Sequence, residues 1–176
     1  VSPDSTGNYV TSFSVPPGTY YANTDNRLGY INKRYNDLPN TDSVTSGTPI
    51  TVALDATTGG IDSAVIMGGR ISGRITDQVG GAGVANAGVN VYDGNGNRVT
   101  GTGVDGSGNY VVSGLPAGSY FVWTYNSQGY VDQLHESRVC YDSASCSVIT
   151  GTPVVVAQGA TTNINFALTT GGRFGG

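Results

Sequence analysis

Charge is scarce in this 176-residue chain, where Asp, Glu, Lys and Arg together make up 11% of the residues, against roughly a quarter in an ordinary soluble domain. Lys33, Glu136, His135 and Met67 are each the only residue of their kind. So poor a supply of Glu, Lys and Arg argues against salt-laced surface helices. A surface covered instead by Ser, Thr, Asn and Tyr suits exposed sheet and turns. A net charge of −4 and a pI near 4.6 leave no basic stripe, which argues against nucleic-acid binding. No apolar run approaches the roughly 18 residues of a membrane-spanning helix. One imidazole and two thiols are too few for a zinc site. No Asn-x-Ser/Thr sequon occurs. What the chain does have is 28 glycines and a hydrophobic content of 38%, enough for a packed core rather than wholesale disorder.

The two cysteines, Cys140 and Cys146, bracket a short loop. A disulfide is the better reading than a metal site. In the loop-entropy account it contributes roughly 2–3 kcal/mol, and it implies an oxidising compartment.

An internal repeat organises the rest. Asp4-Ser-Thr-Gly-Asn-Tyr9 recurs as Asp105-Gly-Ser-Gly-Asn-Tyr110. Pro17-Gly-Thr-Tyr20 recurs as Ala117-Gly-Ser-Tyr120, and Gly29-Tyr-Ile31 as Gly129-Tyr-Val131. Gly47-Thr-Pro-Ile-Thr-Val52 recurs as Gly151-Thr-Pro-Val-Val-Val156, Ala56-Thr-Thr58 as Ala160-Thr-Thr162, and Gly68-Gly-Arg70 as Gly171-Gly-Arg173. The offset runs from 100 (Pro17 to Ala117) to 104 (Gly47 to Gly151). Self-similarity at a fixed period marks a repeat architecture. Residues 68–170 are expected to form one complete unit. Residues 1–67 match the last two-thirds of a preceding unit, and residues 171–176 the start of a following one. The chain reads as a window on a longer array, cut out of phase with its domains.

Within the complete unit, short β-forming runs alternate with turns at nearly regular spacing. Strands are expected near 71–76, 88–92, 99–104, 109–113, 119–125, 130–135, 152–157 and 162–168. Gly94-Asn-Gly-Asn97 and Gly106-Ser-Gly108 supply hairpin turns. Pro49 and Pro153 suit strand openings, where a missing N–H is tolerated. No segment shows a sustained helical period. The expected fold is all-β, a tandem of Ig-like sandwiches.

The run Gly103-Val-Asp105-x-x-Gly-Asn-Tyr110-x-x-x-Gly-Leu-Pro-Ala-Gly-Ser-Tyr120 resembles the carboxypeptidase regulatory-like and Cna-B-type domains. Gly69–Asp77 and Ala87–Asp93 are similar to the first strands of that family. The resemblance implies a transthyretin-like, seven-stranded β-sandwich, used in tandem stalks on bacterial surface proteins and as appendages to secreted enzymes. Many Cna-B domains carry an internal Lys–Asn isopeptide bond with the Lys in the first strand. Here that strand holds Arg70 and Arg74, and the complete unit has no Lys. The resemblance therefore does not extend to the isopeptide.

Candidate chemistry is sparse. Gly101-x-Gly-x-x-Gly106 spells a dinucleotide fingerprint, but the motif needs a helix N-terminus to receive phosphate, and none follows. Asp93, Asn95 and Asn97 resemble the start of a calcium loop. Position six is Arg98 rather than Gly, and position twelve is Val104 rather than Glu, which leaves a weak calcium candidate. His135 and Glu136 stand side by side, but no Gly-x-Ser-x-Gly nucleophile elbow accompanies them. No catalytic residue and no cofactor is expected.

The strand Tyr120–Tyr125 alternates two faces. Tyr120, Val122 and Thr124 match Tyr20, Ala22 and Thr24 of the first repeat, whereas Phe121, Trp123 and Tyr125 stand opposite Tyr21, Asn23 and Asp25. The polar version in the first repeat suggests that the second face looks outward. Three exposed aromatics in a row need a partner, either a protein surface or a sugar. Otherwise a loop or a neighbouring domain covers them, or the faces are reversed. The expected function is a structural or adhesive module of a secreted or surface stalk or filament, with copies of itself or neighbouring repeats as head-to-tail partners and surface glycans as further candidates. The rival is a non-catalytic carbohydrate- or substrate-binding module attached to a secreted hydrolase.

Overall fold

The computed structural model describes the chain apart from Ser12, Thr41, Asp42, Ser137, residues 141–145, Arg173, Phe174 and Gly176. It is all-β, with three 3-10 turns and no α-helix among the described residues. The chain forms two compact units. One comprises Val1–Asp25 with Asn32–Val65, the other Asn26–Ile31 with Ile66–Gly176.

The first unit has four short strands, β1 (Gly18–Tyr20), β2 (Lys33–Arg34), β3 (Leu38–Pro39) and β4 (Ile50–Val52). β1 pairs antiparallel with β4, and β2 with β3. Ile50 is the one buried apolar side chain among its described residues.

The second unit has ten: β5 (Gly69–Asp77), β6 (Ala87–Tyr92), β7 (Arg98–Gly103), β8 (Asn109–Leu115), β9 (Gly118–Asn126), β10 (Gln133–Leu134), β11 (Arg138–Val139), β12 (Val154–Val156), β13 (Thr161–Asn163) and β14 (Phe166–Leu168). They make two sheets. In the larger, β6 lies between β7 and β9. The far edge of β9 is shared by β12, with Val154 opposite Tyr120, and β10, with Leu134 opposite Trp123. In the smaller sheet, β5 runs between β8 on one side and β13 and β14 on the other. Alternating residues of both sheets meet in one core that includes Ile71 and Ile75 of β5, Val89 and Val91 of β6, Tyr110 and Val112 of β8, and Tyr120 and Val122 of β9. Period-two alternation of apolar residues puts one face of each strand inside.

The hairpin turns rest on carboxylates. Asp93 Oδ1 accepts the N–H groups of Asn95 and Asn97, both at 2.9 Å. Asp105 Oδ1 accepts those of Ser107 and Asn109 at 2.8 and 2.9 Å. An aspartate that binds backbone two and four residues on closes a turn in place of a backbone carbonyl.

Two expected strands differ. The 130–135 run narrows to Gln133–Leu134, because Tyr130 bridges to Thr170 and the Val131 N–H donates to the Thr169 carbonyl at 2.8 Å. The 162–168 run splits in two, and both halves are parallel to β5. At the break, Asn165 Oδ1 accepts the Arg74 N–H at 2.9 Å. A side chain there takes the place of a ladder carbonyl.

Tyr120 Oη donates to the Pro116 carbonyl at 2.9 Å, pinning the loop before β9. A typical hydrogen bond contributes about 1 kcal/mol net. Tyr120→Phe is therefore expected to lower stability by about that amount, read as a shifted urea midpoint with an unchanged slope. An unshifted midpoint would show that the bond adds nothing.

Candidate interaction surface

The aromatic face of β9 does not present three exposed rings. It looks away from the main core, yet Phe121 and Trp123 are buried, and only Tyr125, 40% exposed, reaches solvent. A second apolar cluster covers this side of the sheet. Trp123 packs there with Leu134, Cys140 and Val148, flanked by Tyr92 and Cys146. Cys140 and Cys146 form a disulfide with their Cα atoms 5.5 Å apart. The correction has a simple cause: the segment after β9 returns across the sheet through β10 and β11 and brings Cys140 and Val148 onto Trp123. In the first repeat Asn23 and Arg34 occupy the places of Trp123 and Leu134 and form the same bridge between strands. Arg34 is buried there, with Nη1 2.5 Å from Ser46 Oγ. In the first repeat Tyr21, Asn23 and Asp25 are exposed, so this face is open there and covered in the second unit.

Tyr125 lies against Gly88. A Cβ added at Gly88 would come within 2.5 Å of the Tyr125 hydroxyl, so the glycine makes room for the ring. Beside it, Arg98 Nε donates to Asn90 Oδ1 at 2.9 Å. An open recess of about 270 Å³ is lined by Tyr92, Asn95, Gly96, Cys146 and Ser147–Ile149.

The weak calcium candidate, Asp93 with Asn95 and Asn97, lies in the turn between β6 and β7. The Asp93 carboxylate is occupied by N–H donors, including Asn97 Nδ2 at 3.2 Å from Oδ2. Those hydrogen bonds, the backbone one from Asn97 foremost, hold its pKa below the ordinary carboxylate value. No group of three His, Cys, Asp or Glu converges among the described residues.

Glu136 accepts a hydrogen bond from Thr152 Oγ1 at 2.6 Å. In the first repeat the counterparts also meet, with the direction reversed: Asn36 Nδ2 donates to Thr48 Oγ1 at 3.2 Å. Both central residues sit at positive φ, 65° and 64°. A neutral amide fills the same position in the first repeat and keeps the side-chain contact to the threonine. His135 Nδ1 is buried and has no partner among the described residues.

The two repeats share a hydrogen-bonded frame. Repeated residues make repeated bonds. Tyr20 Oη donates to Pro16 O as Tyr120 Oη does to Pro116 O, at 2.7 and 2.9 Å. Lys33 N donates to Thr24 Oγ1 as Gln133 N does to Thr124 Oγ1, at 2.8 and 2.9 Å. Thr58 Oγ1 donates to Thr51 O as Thr162 Oγ1 does to Val155 O, both at 3.0 Å. β1–β4 reproduces the β12–β9 register, and β2–β3 that of β10–β11. Pairs with both members in the first repeat are formed. Counterparts of β8 and of β13–β14, which in the second unit flank β5, carry no strand among the described residues of 8–15 or in 57–65.

In the first repeat Tyr9 Oη donates to the Ile61 carbonyl at 2.5 Å. Its counterpart, Tyr110 Oη to Ile164 O at 2.6 Å, passes over β5. Tyr110 is 3% exposed, whereas Tyr9 is 48% exposed, with Val10 and Phe13 still more open.

A family model described as carboxypeptidase regulatory-like domain matches residues 70–169. No curated protein sequence matches the chain. Among solved structures it is similar to a minor pilin of Streptococcus agalactiae, at 17% identity and a TM-score of 0.41, covering 92% of this chain and 64% of that one. A DUF3823 family protein of Bacteroides uniformis is 13% identical, TM-score 0.41, with 57% and 43% covered. The major pilin subunit of Bacillus cereus is 15% identical, TM-score 0.40, with 89% and 40% covered. This chain thus spans less than two-thirds of each of these proteins. Likeness of this degree concerns the fold alone.

Proposed function

The chain belongs to the carboxypeptidase regulatory-like domain family, and from that premise we propose that it is a non-catalytic structural or adhesive module of an extracellular stalk or filament, built head to tail from tandem sandwiches. In this reading residues 68–170 are a complete repeat, residues 1–67 the last two-thirds of another, and residues 171–176 the start of a third. The observation that carries it is the shared hydrogen-bond frame, Tyr20 with Tyr120 and Tyr9 with Tyr110, at the offset of the sequence repeat. Modules that repeat their internal frame extend by stacking neighbours rather than by enclosing a site. The Cys140–Cys146 disulfide fits an oxidising, extracellular setting. No helix of the described residues is long and apolar enough to cross a membrane.

The binding-module reading rests on Tyr125, the one solvent-accessible ring of the β9 face, beside the Asn90–Arg98 pair. It stands second because Phe121 and Trp123 are covered and no row of stacked rings is available to a sugar.

Electron microscopy of native material carrying this chain, paired with a polysaccharide pull-down, separates the two. Extended fibres or stalks and no retention on glycans are expected. Isolated globular particles, retained on one glycan and released by Tyr125→Ala, would overturn the structural reading.

A further inference from the structure

β7 ends the larger sheet, and among the described residues it pairs with β6 alone. The register fixes which way its backbone faces. Val104 N donates to the Ala87 carbonyl at 3.0 Å, and Thr102 and Thr100 stand opposite Val89 and Val91. Antiparallel ladders alternate bonded and non-bonded pairs. The N–H and C=O groups of Thr100 and Thr102 therefore turn toward β6, and those of Gly101 and Gly103 turn outward. Native edges are commonly guarded by lysine, proline or an inward-pointing charge. The run Thr100-Gly-Thr-Gly103 has none of these. The register shift in the pairing falls before it, where Tyr92 takes Arg98 and Val91 takes Thr100.

The two glycines of this edge differ in cause. A Cβ at Gly101 would come within 2.6 Å of Asn90 Oδ1 and 2.7 Å of Arg98 Nη2, so the Asn90–Arg98 pair demands a glycine. A Cβ at Gly103 would meet the Ala87 carbonyl oxygen at 3.7 Å, an ordinary contact, and the φ of Gly103 is not in the left-handed region. Among the described residues, nothing inside the unit asks for a glycine there. Exposed apolar side chains lie close by. Tyr125 rests over Gly88, the residue opposite Gly103, and Val99 on the same strand is 45% exposed. Charge is divided along the strand. Arg98 at its start is exposed, and no carboxylate pairs with it among the described residues. Asp105, just beyond its end, is exposed too. The Asn109 side chain, with backbone N–H groups, holds the Asp105 carboxyl below the ordinary carboxylate range.

We propose that β7 is a docking edge, and that its occupant is β7 of a second copy of this chain, paired antiparallel about Gly101. In that register Gly101 faces Gly101, and Val99 faces Gly103 of the second copy. The outward backbone groups of the two strands then bond each other, and main-chain bonds supply the affinity, as in other strand additions. The bare Gly103 leaves room for the incoming valine beside Tyr125, so the pairing covers both exposed side chains. Arg98 falls opposite Val104 of the second copy, next to its Asp105. A parallel pairing would instead set like charges together, which is unfavourable. Each copy uses the same surface, so the contact is isologous and closes at a dimer. It joins the two larger sheets into one. The contact is lateral and goes beyond the head-to-tail reading, since it ties stalks side by side.

Sedimentation of the full chain across concentrations tests it, alongside Gly103→Lys and hydrogen exchange at Gly101 and Gly103. The open space at Gly103 lets the lysine in without cost to the fold, and an unchanged urea midpoint and Trp123 emission check this. The parent is expected to pass from monomer toward dimer as concentration rises, with exchange at Gly101 and Gly103 slowing in step. Gly103→Lys should weaken association at least ~10-fold, the ratio that 1.4 kcal/mol gives. Exchange in the parent decides independently of the variant. A parent that stays monomeric at every concentration overturns the proposal. So does association that leaves exchange at Gly101 and Gly103 unchanged, or that Gly103→Lys does not weaken. Fibres formed equally by the parent and Gly103→Lys, with no slowing of exchange in β7, would keep the head-to-tail reading and remove the lateral contact.

Discussion

Valine at position 73 is expected to unfold the second unit's sandwich at denaturant concentrations where the parent remains folded. The cause is steric and backbone-made. A Cβ at Gly73 would sit 1.7 Å from the Ile164 oxygen and 2.6 Å from its carbonyl carbon, with the Tyr110 ring edge at 3.2 Å. No rotamer relieves a clash with a carbonyl. Ile164 cannot retreat freely, because its own N–H donates to Ser72 O at 2.7 Å and its oxygen accepts the buried Tyr110 hydroxyl. Moving it strands a phenol that is nine-tenths or more buried and whose pKa burial already pushes well above the ordinary value. Overpacking costs about 1–3 kcal/mol, and an orphaned buried hydroxyl a further ~1–3. The sum, on the order of 4 kcal/mol, is a large part of a domain's total stability. Gly106→Val is the matched control. It sits in the exposed Asp105 turn, and a Cβ there meets nothing within 4 Å. Urea unfolding should show the first midpoint collapse and the second barely move. A Gly73→Val protein as stable as the control would mean that the sheet yields at Ile164 and that the glycine is not demanded.

That glycine shows what the sequence made legible and what it hid. Gly73 is one of 28 glycines, and its place inside an expected strand does not say what lies above it. Its constraint comes from Tyr110 and Ile164, which are distant in the chain and meet only when β5 is central. The repeat itself was readable, because Asp4 and Asp105, Tyr20 and Tyr120, and Thr58 and Thr162 each serve a turn or a corner that forms from neighbouring residues. Strands with both partners close in sequence, such as β6 with β7, were placed to within a residue or so of their observed ends. The parallel course of β13 and β14 was not visible, since alternation says nothing about direction. Nor was the covering of Trp123, which depends on Leu134, Cys140 and Val148 packing against it. The first repeat differs on this point: Asn23 and Arg34 stand at the places of Trp123 and Leu134, and there Asn23 is exposed while Arg34 is buried with its guanidinium on Ser46, so one repeat's exposure does not carry over to the other.

Breaking the Cys140–Cys146 bond should have the second large effect, and one confined at first to that same covered face. The disulfide closes a short loop, with a sequence separation of 6, for which the loop-entropy account assigns roughly 2–3 kcal/mol. A sandwich of about a hundred residues loses roughly 4–8 °C per kcal/mol, so reduction, or the double substitution Cys140→Ser with Cys146→Ser, is expected to lower Tm by roughly 10 °C or more. The position of the bond adds a specific signature. Cys140 is 1% exposed and packs with Leu134 and Val148 against Trp123, the only tryptophan in the chain. Its backbone N–H is held by the Asp132 carbonyl at 2.9 Å, and Asp132 in turn accepts Asn126 Nδ2 at 2.8 Å from the end of β9. Loosening the loop lets water reach the indole before the main core opens, because Ile71, Val89 and Val122 lie on the other side of the sheet. Trp123 emission should therefore shift to longer wavelength on reduction at temperatures where circular dichroism still reports intact sheets. A serine pair alone buries hydroxyls in place of sulfur, so the reduced parent and the Cys→Ser variant should agree in emission shift if the lost bond, and not the new hydroxyls, is the cause. Reduced and oxidised protein that melt together, with the same emission, would show that β10, β11 and Val148 hold the cover in place without the sulfur bridge.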